Sequence, residues 1–158
     1  MSQETARITL SSPDQTAALA ERLGTCLAPG DTILLQGPIG AGKTHFARSL
    51  IQSRLATLED VPSPTFTLVQ TYDADGVEIW HADLYRLTSP DQVVELGLTD
   101  AFQTAICLVE WPDRLGSLAP QDALTLNFAQ GKAEDSRELT LSWTAPEWAA
   151  RLSGVLHD

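Results

Sequence analysis

The strongest constraint on the fold is a glycine-rich segment at residues 37–44, which lies between two apolar stretches. Its sequence, GPIGAGKT, matches the G-x-x-x-x-G-K-[ST] pattern of a phosphate-binding P-loop. Residues 31–36 predict a short apolar strand before it, and the apolar positions of residues 43–56 recur on one helical face after it. A strand, a phosphate loop and a helix in this order predict a nucleotide-phosphate site.

Each residue type in the loop has a physical role. Glycines have no Cβ, so the loop backbone can bring its N–H groups close to phosphate oxygens. The N-terminus of the following helix directs unpaired N–H groups and the positive end of its dipole to the same oxygens. We expect Lys43 to reach the β- and γ-phosphates and the Thr44 hydroxyl to bind the Mg²⁺ between them. The predicted nucleotide-binding segment comprises Gly37, Pro38, Ile39, Gly40, Ala41, Gly42, Lys43, Thr44 and the adjoining His45.

The alternative is a glycine-rich turn that carries an incidental lysine. Lys43 is one of only two lysines in the chain, and the strand, loop and helix patterns agree with one another. We therefore favour the phosphate site.

Composition limits the class of protein and its partners. A chain of 158 residues predicts a single domain, residues 1–158, with a sizeable core. The net charge of −11 and the pI near 4.5 argue against direct binding of nucleic acid or anionic membrane. The sequence contains no membrane-span pattern and no signal-peptide pattern at its N-terminus. We expect a cytoplasmic protein in which Cys26 and Cys107 are buried free thiols.

Alternating helix and strand patterns predict an α/β protein of the P-loop NTPase fold. The expected architecture is a central mixed, partly parallel sheet with helices on both faces and added antiparallel hairpins. The predicted strands are 7–11 at a sheet edge, 31–36, 66–73, 77–84, 105–109, 123–128 and 138–143. The predicted helices are 13–27, 43–56, 89–96 and 146–156.

A P-loop site needs a second group on the metal side, usually a carboxylate at the end of a neighbouring buried strand. Glu110 follows the continuous apolar run 105–109 and fits that description. It can bind the metal directly, bind it through water, or orient the attacking water. A solvated strand end is the alternative, which the apolar run and the following Trp111 make less convincing.

Asp83 is the next candidate, because it lies at the end of a predicted strand. It can position water or hold a metal-bound water, but a capping or turn aspartate is an equally good interpretation. Thr65 follows two prolines in a stiff loop, where its hydroxyl can reach Mg²⁺ or the γ-phosphate as part of a switch. A plain threonine at the start of a strand is equally compatible with this pattern.

Other polar and aromatic residues near these motifs have weaker signals. Trp111 can stack on a base, face a partner or be buried beside the sheet. Arg86 and Arg114 can bind phosphate, although a surface ion pair is the safer default in so acidic a protein. The DADG sequence at 73–76 matches a GTPase switch pattern but lies between two strand patterns, so we predict a hairpin turn. No Asn-Lys-x-Asp guanine-reading motif is present, which favours ATP over GTP.

Five motifs occur in one order along the chain: GPIGAGKT at 37–44, SPTFTLV at 63–69, HADLYRL at 81–87, ELG at 95–97 and VEWPDR at 109–114. Together they resemble the TsaE family, also called YjeE, the bacterial ATPases of tRNA threonylcarbamoyladenosine biosynthesis. The family often has Asp or Asn with Leu in place of Pro38 and Ile39, and Thr in place of His45. Pro38 removes one backbone N–H at a variable loop position, so we expect phosphate binding to survive.

The resemblance implies an ATPase that works with TsaB and TsaD, which transfer a threonylcarbamoyl group to an adenosine of tRNA. ATP and Mg²⁺ would be its cofactors, and tRNA would be contacted only indirectly, through the partners. It also implies that Glu110 is the metal-side carboxylate and that Asp83 is needed for hydrolysis. Thr65 would belong to a switch-like loop, and Trp111 would lie beside the nucleotide.

Two other functions are compatible with a P-loop in a chain of this size. A small-molecule kinase would need an acceptor pocket and usually an arginine-rich lid, whereas the arginines here are scattered. A nucleotide-gated binding module would hydrolyse ATP too slowly for the hydrolysis itself to matter.

Overall fold

The computed structural model describes residues 3–38, 40–55, 61 and 68–156. The strands are β1 Glu4–Leu10, β2 Thr32–Gln36, β3 Val69–Ala74, β4 Val77–Asp83, β5 Ile106–Glu110, β6 Leu124–Gln130 and β7 Arg137–Trp143. The α-helices are α1 Pro13–Gly24, α2 Lys43–Arg54, α3 Asp91–Glu95, α4 Leu98–Thr104 and α5 Glu147–Leu156, and a 3₁₀ helix covers Pro112–Leu118.

The strands form one mixed sheet in the order β1-β7-β6-β2-β5-β4-β3. Strand β2 lies in the middle and pairs in parallel with both β5 and β6, and β4 pairs in parallel with β5. The β3–β4 and β6–β7 hairpins and the β1–β7 pair are antiparallel. The predicted partly parallel sheet with added hairpins is confirmed, and β1 lies at an edge as expected.

Apolar side chains cover the sheet on both faces. On β2, Ile33 and Leu35 pack into the cluster that contains the apolar residues of α1, α2 and α5. Leu34, between them, points to the opposite face and joins the cluster built from α3, α4 and the 3₁₀ helix. A strand buried on both faces reads as a continuous apolar run, which explains the composition of β2 and β5.

Two short elements differ from the sequence prediction, which assigned no structure to residues 98–104 and 112–118. The predicted helix 89–96 stops before Gly97, and Gly97 is also the N-cap of α4, because its φ of 82° lets the chain turn between α3 and α4. Helices α1 and α2 end earlier than predicted, since Thr25 caps α1 and Leu55 is already extended.

The DADG segment forms the predicted hairpin turn rather than a switch. The Asp73 carboxylate accepts the N–H of Gly76 at 2.8 Å, and both Asp75 and Gly76 have positive φ. These dihedrals suit a two-residue turn between antiparallel strands.

Both cysteines are free thiols, as predicted, but the prediction that both are buried is wrong for Cys26, because Cys26 lies just after the end of α1 rather than on its packed face. Burial raises the pKa of Cys107 to about 12 and also raises that of Cys26, which is only partly buried. Across the part of the chain that the structure describes, no helix has the length and apolar character needed to cross a bilayer.

Candidate nucleotide-binding site

The glycine-rich loop follows β2 at the carboxyl edge of the parallel strands and leads directly into α2. Gly37 has a φ of 142°, and a Cβ at this position would lie 2.6 Å from the Phe128 carbonyl oxygen on β6. Gly42 is the N-cap of α2 with a φ of 105° and no side-chain capping bond. The loop therefore passes close to β6, and the first N–H groups of α2 have no side-chain cap.

Lys43 is folded back over its own loop. Its Nζ donates a hydrogen bond to the Gly37 carbonyl at 2.6 Å and lies 3.4 Å from the centroid of the Trp111 ring. Burial lowers the pKa of Lys43, and the carboxylates of Glu110, Asp83 and Asp113 oppose that shift. The ammonium group is thus held by a carbonyl, a ring face and nearby negative charge.

Glu110 connects the end of β5 to the first turn of α2. The Thr44 hydroxyl donates to its carboxylate, at 2.9 Å from Oε1 and 3.1 Å from Oε2. His81 Nε2 lies 2.7 Å from Oε2 on the other side. Glu110 is buried, so its carboxylate is fixed between two donors from different elements.

Asp83 ends β4, directly beside Glu110 in the parallel register of β4 and β5. It is also buried, and its Oδ1 accepts the backbone N–H of Tyr85 at 3.0 Å. The structure therefore brings together the two strand-end carboxylates that the sequence singled out separately.

Trp111 adopts a left-handed backbone conformation with φ 60° and ψ 55° immediately after β5. The backbone N–H of Trp111 donates to the Leu35 carbonyl at 3.3 Å. The Trp111 and Tyr85 rings lie 4.9 Å apart, centroid to centroid. This turn directs the indole to the phosphate loop, where it contacts Lys43.

A cavity of about 450 Å³ opens between these groups. It is lined by Gly40, Gly42, Lys43, Thr44, His45, Asp83, Tyr85, Arg86, Glu110 and Trp111. Gly37, Pro38 and Trp111 line a neighbouring cavity. Ala41 is buried, and Arg114 is exposed and does not line the site cavity. Ile39 and Thr65 lie outside the described residues, so the expectations for them stay predictions.

Arg137, at the start of β7, is a site residue that sequence reasoning missed. Its Nε donates to the Ala41 carbonyl at 3.1 Å and its Nη2 to the Gly40 carbonyl at 3.3 Å. It also borders a second cavity of about 290 Å³, lined by Pro13, Thr16, Gly42, His45, Asp135 and Arg137. Backbone carbonyls nearly a hundred residues away leave no sequence pattern that could have identified this arginine.

His81 is the second residue of the site that sequence reasoning missed. It precedes Asp83 by two positions on β4, so both side chains point to the same face of the sheet. That spacing, combined with the prediction for Asp83, was the available signal. His45 instead lies between the two cavities, with its Nε2 3.0 Å from the Pro13 carbonyl oxygen.

The oxygen groups around Thr44 are of the kind that Mg²⁺ prefers. A hydroxyl and a carboxylate lie within hydrogen-bond distance of each other, and a second buried carboxylate ends the adjacent strand. Within residues 3–38, 40–55, 61 and 68–156 there is no cluster of three or more His, Cys, Asp or Glu residues suited to holding a metal. The Thr44 hydroxyl and the carboxylates of Glu110 and Asp83 are few donors for one ion, which fits Mg²⁺, because Mg²⁺ keeps several waters and takes substrate phosphates as further ligands.

Comparison with known proteins gives one consistent family. Residues 10–139 match the family model described as "Threonylcarbamoyl adenosine biosynthesis protein TsaE". The tRNA threonylcarbamoyladenosine biosynthesis protein TsaE of Rickettsia conorii is 40% identical over 120 residues, covering 76% of this chain and 69% of its own. The protein of the same name from Bacillus subtilis is 34% identical over 131 residues, covering 82% of this chain and 80% of its own.

A solved structure shares the fold at lower sequence identity. The crystal structure of Bacillus subtilis YdiB superposes with a TM-score of 0.80 at 24% identity, covering 98% of this chain and 96% of the other. This likeness concerns the fold alone.

Proposed function

The chain belongs to the TsaE family, and from this membership we propose that it is a Mg²⁺-dependent ATPase of tRNA threonylcarbamoyladenosine biosynthesis. In this proposal it acts in the cytoplasm with TsaB and TsaD, and its hydrolysis of ATP supports threonylcarbamoyl transfer by those partners. The observation that carries the proposal is the single cavity in which Lys43, Thr44, Asp83 and Glu110 meet.

The loop and α2 supply the phosphate contacts. The uncapped N-terminus of α2 offers backbone N–H groups and a positive dipole end to an anion. The Lys43 ammonium donates to the Gly37 carbonyl and faces the Trp111 ring. A phosphate in the cavity offers this ammonium a stronger, charge-assisted partner than a neutral carbonyl.

Thr44 and Glu110 would hold Mg²⁺, since their oxygens already lie together at the cavity wall. The ion would neutralise charge on the β- and γ-phosphates. Glu110 accepts from the Thr44 hydroxyl, which is the other expected metal ligand, and Asp83 is a second carboxylate at the same edge of the sheet. We therefore assign water positioning to Asp83 and the metal side to Glu110.

The second cavity suits the base of the nucleotide. Gly42 and His45 line both cavities, so the first turn of α2 separates a compartment beside Asp83 and Glu110 from one beside Arg137. A nucleoside triphosphate is long enough to extend across one helical turn. With its phosphates on the loop, its base would lie between Pro13 and Arg137, and the missing guanine-reading motif favours adenine.

The charge of the chain supports an indirect relation to tRNA. A net charge of −11 opposes the approach of a polyanion, so the tRNA would be bound by TsaB and TsaD rather than by this protein.

The decisive test is Mg²⁺-dependent ATP hydrolysis by the pure protein, alone and with TsaB–TsaD from the same organism. We expect slow hydrolysis alone and strong stimulation by the pair. Lys43→Ala should abolish both, whereas Lys132→Ala, which removes the other, exposed lysine, should leave them unchanged. Asp83→Asn should lower kcat while nucleotide affinity is retained.

Two results would overturn parts of this proposal. Absence of ATP binding would remove the nucleotide function altogether. Tight ATP binding without stimulation by demonstrably active TsaB–TsaD would remove the partnership and favour a small-molecule kinase, which a screen for phosphorylated acceptors would detect.

A further inference from the structure

We propose that His81 is a positioning residue that holds the Glu110 carboxylate at the Thr44 side of the site, where the Mg²⁺ of the proposed ATPase would bind. The inference rests on the proposed function, because it concerns the metal dependence of nucleotide binding. It gives a role to a buried polar side chain that contributes nothing to the cavity lining.

The contact between His81 and Glu110 is short and shielded from water. Nε2 and Oε2 are 2.7 Å apart, the imidazole is fully buried, and the carboxylate is almost so. The two side chains come from neighbouring parallel strands, with His81 opposite Leu108 and Asp83 opposite Glu110. His81 therefore contacts the carboxylate from a position two residues before the end of β4, on the side away from the cavity.

The hydrogen-bond pattern fixes which nitrogen donates. Nδ1 of His81 is buried and has no hydrogen-bond partner among the described residues. A neutral imidazole carries one N–H, and the only partnered nitrogen here is Nε2, which faces a carboxylate acceptor. Because an ionised carboxylate only accepts hydrogen bonds, His81 donates from Nε2 to Glu110.

Glu110 needs such a restraint more than a shorter acid would. A glutamate has one more rotatable bond than the aspartate usual at this position of P-loop sites. Its other donor is Thr44, whose hydroxyl is itself an expected metal ligand and is not a permanent partner. His81 is the donor that the nucleotide and the metal leave in place, because it lies outside the cavity.

A histidine that merely fills space beneath the site would behave differently. A side chain that only fills space needs volume, which phenylalanine also provides. A side chain that positions Glu110 needs an N–H that can donate to its carboxylate. Glutamine places an amide N–H at nearly the same reach from the backbone as Nε2 of histidine. The pair His81→Phe and His81→Gln therefore separates the two roles.

The experiment measures binding of mant-ADP by fluorescence, with Mg²⁺ titrated against fixed nucleotide and with EDTA. For His81→Phe we expect a Mg²⁺ requirement about 10- to 100-fold higher than in the wild type, the usual cost of removing an outer-shell partner of a metal ligand. Affinity in EDTA should be unchanged, because the phosphate loop is intact. His81→Gln should recover most of the loss.

Ile79→Val is the matched control, since Ile79 is buried two residues earlier on the same face of β4. It should bind Mg²⁺ and nucleotide as the wild type does. His81→Leu serves as the donor-free variant should His81→Phe not fold.

The outcomes separate this inference from the proposed function. Wild-type protein whose nucleotide affinity ignores Mg²⁺ would contradict the proposed function itself. A normal Mg²⁺ effect that is unchanged in the donor-free variant would overturn the role of His81 alone. Equal losses with Mg²⁺ and with EDTA, or a folded His81→Gln no better than His81→Phe, would reduce His81 to a packing residue.

Discussion

Replacing Gly37 by alanine should destabilise the protein more than the same replacement at a glycine that also has a positive φ but has open space around it. The new Cβ would lie 2.6 Å from the Phe128 carbonyl oxygen and 3.1 Å from the Phe128 Cβ. Both atoms belong to Phe128 of β6, which pairs with Leu139 of β7 and directly follows Asn127, the last residue of β6 that pairs with β2. Neither atom can move away without disturbing the sheet.

The expected magnitude has two parts. Holding a non-glycine residue in a sparsely populated backbone region costs about 1–3 kcal/mol. Forcing extra volume against a packed backbone adds about 1–3 kcal/mol. We therefore expect Gly37→Ala to lower the free energy of unfolding by about 2–6 kcal/mol, which is a large share of the 5–15 kcal/mol typical of a domain.

Gly76→Ala isolates the first part. Gly76 has a φ of 86° in the β3–β4 turn, and a Cβ there would meet nothing within 4 Å. Its cost should be that of the dihedral alone, about 1–3 kcal/mol. Urea unfolding of the wild type and both variants, analysed with a common m-value, gives the difference directly. If Gly37→Ala unfolds at the same urea concentration as Gly76→Ala, the close approach of the loop to β6 does not constrain the sequence.

Three further changes test other contacts of the site. Arg137→Ala removes the donors to the Gly40 and Ala41 carbonyls. We therefore expect nucleotide affinity, measured by isothermal titration calorimetry, to fall about tenfold, which corresponds to about 1.4 kcal/mol. The control Arg7→Ala, at an exposed position on β1, should leave the affinity unchanged. Trp111→Phe should abolish any nucleotide-dependent change in intrinsic fluorescence, because we expect Lys43 to leave the indole face for a bound phosphate. A signal that persists in this variant would come from the other three tryptophans and would contradict the expectation. Burial raises the pKa of Cys107 to about 12 and also raises that of the partly buried Cys26. A thiol reagent at pH 8 should therefore label Cys26 first and Cys107 only on unfolding. Rapid labelling of both thiols would contradict this burial pattern.

Local patterns were sufficient to predict the loop and the elements around it. The run before Gly37 is apolar because β2 is buried on both faces, and the loop glycines carry the dihedrals that the pattern implies. Glu110 and Asp83 were identified as strand-end carboxylates without knowledge of their neighbours. Their juxtaposition depends on β4 lying next to β5, which is a property of the strand order and not of either segment.

Irregular elements escaped prediction because their causes are not periodic. Helix α4 has seven residues, too few for a hydrophobic repeat to be recognised, and it begins at a glycine that also ends α3. The 3₁₀ helix after Trp111 contains Gly116 in a non-helical conformation. Packing against the sheet, rather than helical propensity, holds these short pieces in place.

The contacts that complete the site come from residues far apart in sequence, and this explains why a motif search finds only part of it. Thr44 and Glu110 are 66 residues apart, and His81 and Glu110 are 29 apart. Parallel strands place their carboxyl ends at one edge, so the loop and helix after β2 meet side chains from the ends of β4 and β5 there, whatever their separation along the chain. The same geometry explains a glutamate where P-loop sites usually have an aspartate. A carboxylate at the end of β5 has to meet a hydroxyl on α2 and an imidazole on β4 at once, and the additional methylene gives it the reach to do so.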